Sequence, residues 1–188
     1  ALAEKDDLAS GTSSASSKLI HGGLRYLEHY DFSLVRESLR EREILLRNAR
    51  HIVRPMRFIL PLAGGGRPFW LIRIGLWLYD HLSRNNTQPR SSAEDLTAGP
   101  YAQGLKGEIK RGFAYSDCWA DDARLVVLAA RDAARLGAQI MPRTRCVSAR
   151  RDGLLWRAKL VRGGGAAFEI RSRALINAAG PWAHDVLT

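Results

Sequence analysis

The chain has 188 residues, 46% of them hydrophobic, and carries 29 basic against 19 acidic side chains for a net charge of +10. This composition excludes a disordered tail and can bury a core arranged as one large domain or two small ones. The positive charge favours an anionic partner, but it does not choose among nucleic acid, a phosphorylated small molecule and acidic lipid head groups.

The cysteine and histidine content argues against disulfide and metal chemistry. Cys118 and Cys146 are too few for a disulfide framework and too far apart for a C-x-x-C site, so both are predicted to be reduced, half-buried thiols. His21 and His29 stand eight residues apart without a matching cysteine or carboxylate pair, and no metal site is predicted. The longest apolar run, residues 69–79, has 11 residues, well short of the roughly 20 that span a bilayer.

The first quarter of the chain predicts a strand end, a loop and a helix. Residues 1–12 pass from a short apolar strand end through an acidic residue into a polar loop. Asp31 is predicted to cap a helix that ends near Ala49 and packs through leucines and Val35. Its charged face is predicted to be solvated, with Glu43 and Arg47 as an i, i+4 pair; that face holds Arg36, Glu37, Arg40, Glu41, Arg42, Glu43 and Arg47.

The middle of the chain predicts an edge strand, a helix and a linker. Residues 52–62 indicate a strand at a sheet edge, because Pro55 and Pro61 cannot donate to a ladder. Residues 68–83 indicate a helix whose apolar side chains either pack in the core or lie on a membrane surface, where tryptophan and arginine suit the interface. Residues 84–107 are rich in turn formers and are predicted to be a linker.

The last third predicts a strand, a helix and three more strands. Residues 109–120 are strand-like, and Asp121 is predicted to cap an alanine-rich helix that runs to Leu136 and ends at Gly137. Three strands follow, at 139–149, 154–162 and 167–180, the last two joined by the turn Gly163 to Gly165. Helices between strands make this an α/β chain.

One stretch, "SSASSKLIHGGLRYLEHYD" at 13–31, combines small hydroxyl residues with basic and aromatic ones. Hydroxyls and backbone amides in a loop can donate to phosphate, and Lys18 and Arg25 add positive charge. Gly22 and Gly23 permit a sharp turn beside a ring system. An ordinary serine-rich surface loop followed by a core turn is the alternative interpretation.

Longer strings are more specific. "TSSASSKLIHGGLRYLEHYDF", "IKRGFAYSDCWADDARL" and "LINAAGPWA", together with "RIGLWLYDHL", closely resemble the FAD-dependent, quinone-linked glycerol-3-phosphate dehydrogenases, in the right order over essentially the whole chain. The resemblance implies a flavoprotein of the glutathione-reductase and amino-acid-oxidase type. Its expected reaction is oxidation of sn-glycerol 3-phosphate to dihydroxyacetone phosphate, with electrons passed to membrane quinone.

The fold class implied is α/β, a partial Rossmann-like FAD-binding domain with part of a substrate or cap region. Residues 1–50 would be an FAD-binding segment without the N-terminal dinucleotide motif, 51–120 a substrate or cap segment, and 121–188 a return to the FAD-binding domain. The Gly-x-Gly-x-x-Gly turn should precede residue 1, and no initiator methionine is present. The chain is therefore expected to be an internal fragment, inactive by itself.

The resemblance also assigns residues to FAD. Glu4 matches the acid on the adenosine ribose, and Cys146 and Val147 match the strand whose backbone meets the adenine. The pyrophosphate and flavin ring are assigned to Thr12, Ser13, Ser16, Ser17, Lys18, Leu19 and Ile20. Asn177, Ala178 and Gly180 match a tight turn under the cofactor, in which Ala179 stands where the family often has threonine.

The substrate side is assigned to His21, Arg25 and Tyr26. Arg25 and Tyr26 match the pair that faces the substrate phosphate. His21 either accepts the hydroxyl proton, a role that needs a near-neutral pKa, or only hydrogen-bonds within the turn.

The expected partners are glycerol 3-phosphate, membrane quinone and an acidic lipid surface at the cytoplasmic face of the inner membrane, and not nucleic acid. A homodimer is compatible with the resemblance, and the sequence does not fix the oligomeric state. The alternatives are a related FAD-dependent oxidase that uses oxygen, and a basic nucleic-acid-binding module. The second alternative has arginines near aromatics but no known binding motif.

Overall fold

The computed structural model describes residues 1–64, 66–83 and 85–184 and shows a mixed α/β chain, as predicted. Three short 3₁₀ turns lie at Thr12–Ser14, Leu24–His29 and Gly180–Trp182. The other elements, in chain order, are β1 (Leu2–Ala3), β2 (Leu19–Ile20), α1 (Phe32–Asn48), β3 (Val53–Pro61), α2 (Phe69–His81), β4 (Ser92–Asp95), β5 (Arg111–Ala120), α3 (Asp122–Arg135), β6 (Ile140–Met141), β7 (Thr144–Asp152), β8 (Leu155–Arg162) and β9 (Ala167–Ser172).

The chain forms two compact units. Unit 1 contains Ala1–Ser16 and the described residues from Asp122 onward, and unit 2 contains Ser17–Asp121. β2 pairs with β5, which places the segment after Ser16 in the sheet of unit 2. The predicted boundaries after residues 50 and 120 stay predictions. The functional roles given to the three segments remain predictions.

Unit 2 is built on an antiparallel sheet in which β5 is central. β3 pairs with β5 along its whole length, from Val53 opposite Ala120 to Pro61 opposite Gly112. β2 and β4 pair with opposite ends of β5. β3 lies at the edge of this order, as its prolines predict. β4 corrects the prediction of a linker over residues 84–107, since pairing with β5 makes a strand of a sequence with little strand propensity of its own.

Helix α1 begins where the sequence predicts. The Asp31 carboxylate accepts a hydrogen bond from the Leu34 amide at 3.2 Å and so caps the helix. Val35 and Leu39 pack with Tyr79 of α2 in a small core cluster. Two residues assigned to the solvated face are in fact buried, Arg42 and Glu43. Residues 35, 39, 42, 43 and 46 lie on one helical stripe, so both charges share the face of the apolar side chains.

Helix α2 lies inside the predicted range and has an unexpected surface. It buries Leu76, Tyr79 and Asp80. Trp70 is 63% exposed and Trp77 is 57% exposed, so these two side chains do not pack in a core of the described chain. Within the described ranges, every helix is too short or too polar to cross a bilayer.

Unit 1 contains two small sheets. β1 pairs with β6 in parallel, and β7, β8 and β9 form an antiparallel meander with the predicted glycine turn between the last two strands. Gly137 follows α3 with a φ of +96°, which fits its predicted role as the helix terminator. The final strand ends at Ser172 rather than running to 180.

Candidate active site

The start of unit 2 is held by strand pairing. Leu19 lies opposite Trp119 and Ile20 opposite Cys118, and the Ala120 amide donates to the Lys18 carbonyl at 2.8 Å. Lys18 has a φ of +58°, an uncommon backbone conformation for a residue with a side chain. Ser17 is exposed, while Lys18, Leu19 and Ile20 are half-buried. Lys18, Leu19 and Ile20 are therefore held against β5, and Ser17 directly precedes them.

Two buried glycines follow β2. A Cβ on Gly22 would lie 2.5 Å from Leu39 Cδ2 and 2.7 Å from the Tyr79 hydroxyl oxygen, closer than atoms pack. Gly23 has a φ of +71°, and a Cβ there would meet the Tyr26 ring at 2.3 Å. The Tyr26 amide donates to the Gly23 carbonyl at 2.9 Å. The pair fixes the path of the chain into the 3₁₀ turn Leu24–His29.

The three substrate candidates lie on this turn or next to it, and all are exposed. His21 precedes the glycines, and Arg25 and Tyr26 follow them. Tyr26 is 45% exposed. Among the described residues, the Arg25 guanidinium has no hydrogen-bond or ion-pair partner. An unpaired guanidinium beside a rigid turn is chemically suited to bind a phosphate or a carboxylate in forked geometry.

Four buried residues, Arg42, Glu43, Tyr79 and Asp117, form an ionic cluster. It contacts the turn through the bond from the Gly22 amide to Tyr79. Arg42 Nη1 lies 2.8 Å from Asp117 Oδ1 and 3.0 Å from the Ser116 carbonyl oxygen. Arg42 Nη2 lies 3.1 Å from Glu43 Oε1. Each buried charge thus has an opposite charge within hydrogen-bond distance, which is the condition for keeping ions in a protein interior.

Tyr79 links this ionic cluster to the glycines. Its hydroxyl donates to Asp117, with oxygens 2.7 Å from Oδ1 and 2.9 Å from Oδ2, and accepts from the Gly22 amide at 2.7 Å. Burial and the neighbouring Asp117 charge raise the pKa of Tyr79 far above its usual value. Burial alone lowers the pKa of Arg42, but the hydrogen bonds and charges of Asp117, Tyr79 and Glu43 together outweigh that effect and raise the pKa above its usual value. The phenol therefore stays neutral and the guanidinium charged.

This cluster is not predicted from the sequence, which indicated a pair between Glu43 and Arg47. Glu43 instead contacts Arg42 and accepts from the Thr87 hydroxyl at 2.7 Å. The helical stripe shared with Val35 and Leu39 was the available signal. Asp117 gave a second one, because a carboxylate stands inside an otherwise apolar strand.

Unit 1 holds the nucleotide-side candidates. Glu4 follows β1, where its amide donates to the Met141 carbonyl at 3.0 Å and its carboxylate accepts from the Asp6 amide at 3.0 Å. Thr12 and Ser13 form a 3₁₀ turn. Ser16 is exposed, and its hydroxyl donates to the Asp122 carboxylate.

Strand β7 contains a bulge at the predicted adenine contact. Cys146 lies opposite Leu160 and Ser148 opposite Lys159, so Val147 is the extra residue on its strand. A bulge leaves the extra residue out of the ladder, which frees its backbone groups for another partner. The Cys146 thiol is half-buried as predicted, and burial raises its pKa. Cys118 corrects that prediction, because it is fully buried.

The segment after β9 is irregular around Asn177. The Asn177 side-chain amide donates to the Ala183 carbonyl at 2.8 Å, and its oxygen accepts from the Ala179 amide at 3.2 Å. Gly180 has a φ of +56°, a conformation that favours glycine. Asn177, Ala178 and Gly180 are exposed.

Comparison with known proteins identifies the family. All of residues 1–188 match the family described as FAD dependent oxidoreductase. The chain belongs to this family. It is 59% identical, over 96% of its length, to a glycerol-3-phosphate dehydrogenase of Pseudomonas tolaasii, and 52% identical, over 99%, to a D-erythritol 1-phosphate dehydrogenase of Brucella abortus. It spans 35% and 37% of those two relatives.

A solved structure supports the fold of this FAD-dependent oxidoreductase. The glycerol-3-phosphate dehydrogenase from Bacillus halodurans, complexed with FAD, matches 96% of this chain with a TM-score of 0.62 and 26% identity. The match covers 29% of that protein. The partial FAD-binding α/β fold implied by the sequence is thereby confirmed.

The described residues fit a role in holding FAD. Glu4 offers a carboxylate at the end of a parallel strand, which suits ribose hydroxyls. The bulge at Val147 offers backbone groups outside the ladder, which suit a purine edge. The roles of the individual site residues remain predictions. Those residues are divided between the units, with Ser17, Lys18, Leu19, Ile20, His21, Arg25 and Tyr26 in unit 2 and the others in unit 1.

Proposed function

We propose that the protein carrying this chain oxidises sn-glycerol 3-phosphate to dihydroxyacetone phosphate. The observation that carries the proposal is the exposed Arg25, which has no partner among the described residues and lies beside a glycine turn held by the Tyr79 hydroxyl. The 59% identity to a glycerol-3-phosphate dehydrogenase supports it. The activity belongs to the whole protein, because the chain spans about a third of the length of the relatives that it matches.

The substrate segment has three tasks in this reaction. Arg25 binds the phosphate dianion through a forked pair of N–H donors, and Tyr26 adds a hydroxyl donor. His21 accepts the proton of the C2 hydroxyl, for which a neutral imidazole near pH 7 is suitable. When bound, FAD supplies the acceptor for the hydride that leaves C2. If His21 only hydrogen-bonds within the turn, another base takes the proton and the phosphate-binding role of Arg25 is unaffected.

The proposal assigns the following residues of this chain to the cofactor. Glu4 accepts from the ribose hydroxyls, and the backbone at Cys146 and Val147 meets the adenine. Hydroxyls and amides of Thr12, Ser13, Ser16, Ser17 and Lys18 donate to the pyrophosphate and the flavin ring, against which Leu19 and Ile20 pack. Asn177, Ala178 and Gly180 form a turn whose small side chains let the backbone approach the cofactor.

The proposed electron acceptor is membrane quinone, reached by peripheral attachment to the cytoplasmic face of the inner membrane. Support comes from α2, where Trp70 and Trp77 are exposed beside Arg73, a combination suited to an anionic interface. The net charge of +10 adds attraction to acidic lipid. The proposal includes a homodimer, which the molecular mass in solution would test.

A second candidate substrate is D-erythritol 1-phosphate. The 52% identity to a dehydrogenase named for that compound favours it. Both substrates are polyols with one terminal phosphate, so Arg25 serves either. Their lengths differ by one carbon, and the residues that face the far end of the polyol decide between them.

Anaerobic spectroscopy of the full-length FAD-loaded protein tests the substrate. Glycerol 3-phosphate is expected to bleach the flavin bands, with erythritol 1-phosphate weaker at equal concentration. Arg25→Ala should need at least 10-fold more substrate for half-bleaching, since a charge-assisted phosphate contact contributes about 1.5–3 kcal/mol. Arg36→Ala, an exposed arginine of α1, is the matched control and should behave as wild type. Flavin that neither phosphate bleaches contradicts the proposal.

Two further assays address the electron acceptor. Hydrogen peroxide formed during turnover in air would indicate an oxidase, whereas reduction of a soluble quinone analogue without peroxide supports the dehydrogenase. Vesicles of anionic lipid should bind the wild type and lose at least half of the bound protein with Trp70→Ala and Trp77→Ala combined. Unchanged binding by that double variant contradicts the role given to α2.

A further inference from the structure

The Gly22 amide has a specific buried partner in the described chain. It donates to the Tyr79 hydroxyl at 2.7 Å, and its second acceptor, Asp117 Oδ1, lies at a weaker 3.4 Å. A short bond inside a core contributes more to position than an exposed one, because no water competes for the donor. Tyr79 therefore determines where this amide lies.

Tyr79 is itself fixed from two directions. Its ring packs with Val35 and Leu39, and its hydroxyl donates to Asp117 at 2.7 Å. Asp117 is in turn bound by Arg42, whose other terminal nitrogen lies 2.8 Å from the Asn86 side-chain oxygen. A side chain whose ring and hydroxyl are both fixed has no alternative rotamer that keeps its bonds.

Gly22 is close in sequence to the substrate candidates, so its position affects theirs. His21 is its direct neighbour, and Arg25 lies three residues further along, on the 3₁₀ turn Leu24–His29. Leu24 and Leu27 of that turn pack against the same core cluster as Tyr79. The core cluster of Val35, Leu39 and Tyr79 therefore contacts this segment at two places. One is the Gly22 amide, and the other is the pair of leucines at 24 and 27.

We propose that Tyr79 is a positioning residue for substrate oxidation: its hydroxyl holds the Gly22 amide and so places His21 and Arg25. This inference rests on the proposed function and deepens it. Packing alone does not account for the hydroxyl, since phenylalanine fills the same space without a polar group to bury. The Gly22 and Asp117 bonds use the hydroxyl as acceptor and as donor.

Tyr79→Phe in the full-length FAD-loaded protein removes the hydroxyl and keeps the ring. Hydrogen exchange of the peptide containing Gly22 should accelerate at least 10-fold. The KM for glycerol 3-phosphate should rise, and the rate of flavin reduction per bound flavin should fall, so that kcat/KM drops at least 10-fold; small displacements of catalytic groups have effects of this size. A purely structural role would lower only the yield of flavin-loaded protein.

Tyr115→Phe is the matched control. Its ring contacts that of Tyr79 edge-on with centroids 6.2 Å apart, and no hydrogen bond to its hydroxyl is found among the described residues. It should leave both readouts within 2-fold of wild type. If Tyr79→Phe yields no folded protein, Asp117→Glu replaces it, because that variant keeps the charge that pairs with Arg42 and displaces the acceptor of the Tyr79 hydroxyl.

The outcomes are separable. Wild-type flavin that glycerol 3-phosphate does not bleach overturns the proposed function, whatever the variants do, and the exchange rate at Gly22 still reports on the bond. If the wild type bleaches, faster exchange together with the kcat/KM loss supports the positioning role. Faster exchange with unchanged kcat/KM overturns it, and so does a kcat/KM loss without faster exchange or an equal loss in Tyr115→Phe.

Discussion

Helices α1 and α2 of unit 2 depart from the usual pattern, in which charged side chains are exposed and large apolar side chains are buried. α1 buries Arg42 completely, whereas α2 leaves Trp70 63% exposed. The two helices share one core through Val35, Leu39 and Tyr79, so the difference does not come from separate environments. Arg42 can be buried because it has carboxylate and carbonyl partners at hydrogen-bond distance. The exposed face of Trp70 is available to contact another surface.

Departures from binary patterning often coincide with function, and here each fits one proposed task. The buried charges of α1 lead through Tyr79 to the glycine turn and the substrate candidates. The exposed tryptophans of α2 form the surface proposed to meet lipid. Four comparisons, described below, test or sharpen this contrast.

The largest effect is expected at Arg42. Arg42→Leu leaves the Asp117 and Glu43 carboxylates buried without their cation, and the free energy of unfolding should fall by about 3–5 kcal/mol. Arg36→Leu on the exposed face of the same helix should change it by less than about 0.5 kcal/mol. Equilibrium unfolding in urea measures both. Equal losses in the two variants would show that the buried pairs contribute nothing particular.

On α2 the next largest effect should come from a leucine rather than from its tryptophan neighbour. Leu76 is 1% exposed, so Leu76→Ala should destabilise by about 2–5 kcal/mol through loss of burial and an unfilled cavity. Trp77→Ala removes a larger but exposed side chain and should stay below about 1 kcal/mol. Thermal unfolding without lipid compares them. A larger loss at Trp77 would place that ring in a packed interface.

A glycine pair separates tight packing from open space. Gly22→Ala forces a methyl against Leu39 and Tyr79 and should destabilise by about 1–3 kcal/mol. Gly75→Ala on α2 meets nothing within 4 Å and should stabilise by about 0.5–1 kcal/mol through higher helix propensity. The midpoints of urea unfolding measure the stability change of each variant, and the two changes should have opposite signs. The same sign for both contradicts the close packing at Gly22.

The smallest effect appears only at alkaline pH. Burial raises the pKa of Cys118 from 9.0 to about 11. Between those values the unfolded chain releases a proton that the folded chain keeps, so this contribution to stability is complete below about pH 9 and is lost as pH rises through 11. The wild type should lose about 1–2 kcal/mol more than Cys118→Ala between pH 8 and pH 11. Parallel pH profiles of the two proteins contradict this.

Local chemistry made much of the fold predictable. Asp31 as a cap, Gly137 as a terminator and the prolines of β3 each act through their own backbone, so their effects need no knowledge of distant residues. β4 escaped prediction because Ser92–Asp95 becomes a strand through pairing with β5. Arg42 escaped because its main partner, Asp117, lies 75 residues away in sequence.

The candidate site was predictable in a different way. Hydroxyls, glycines and basic residues in one segment indicate an anion-binding turn, but the roles of Glu4, Cys146 and Val147 came only from the resemblance. No spacing rule reveals a bulge at Val147, since the extra residue is defined by the register of β7 against β8. The support beneath Gly22 is likewise a tertiary property, in which the tyrosine, carboxylate and arginine come from three different elements.

The absence of space around Gly22 has a consequence for altering substrate range. Libraries that randomise the whole turn will be dominated by unstable members, because any side chain at position 22 displaces Leu39 or the Tyr79 hydroxyl. Diversity is better confined to exposed positions of the turn that the proposed reaction does not use, such as Glu28 and His29. Where residue 22 must vary, a smaller side chain at position 39 should be encoded with it, so that the two positions change as a linked pair.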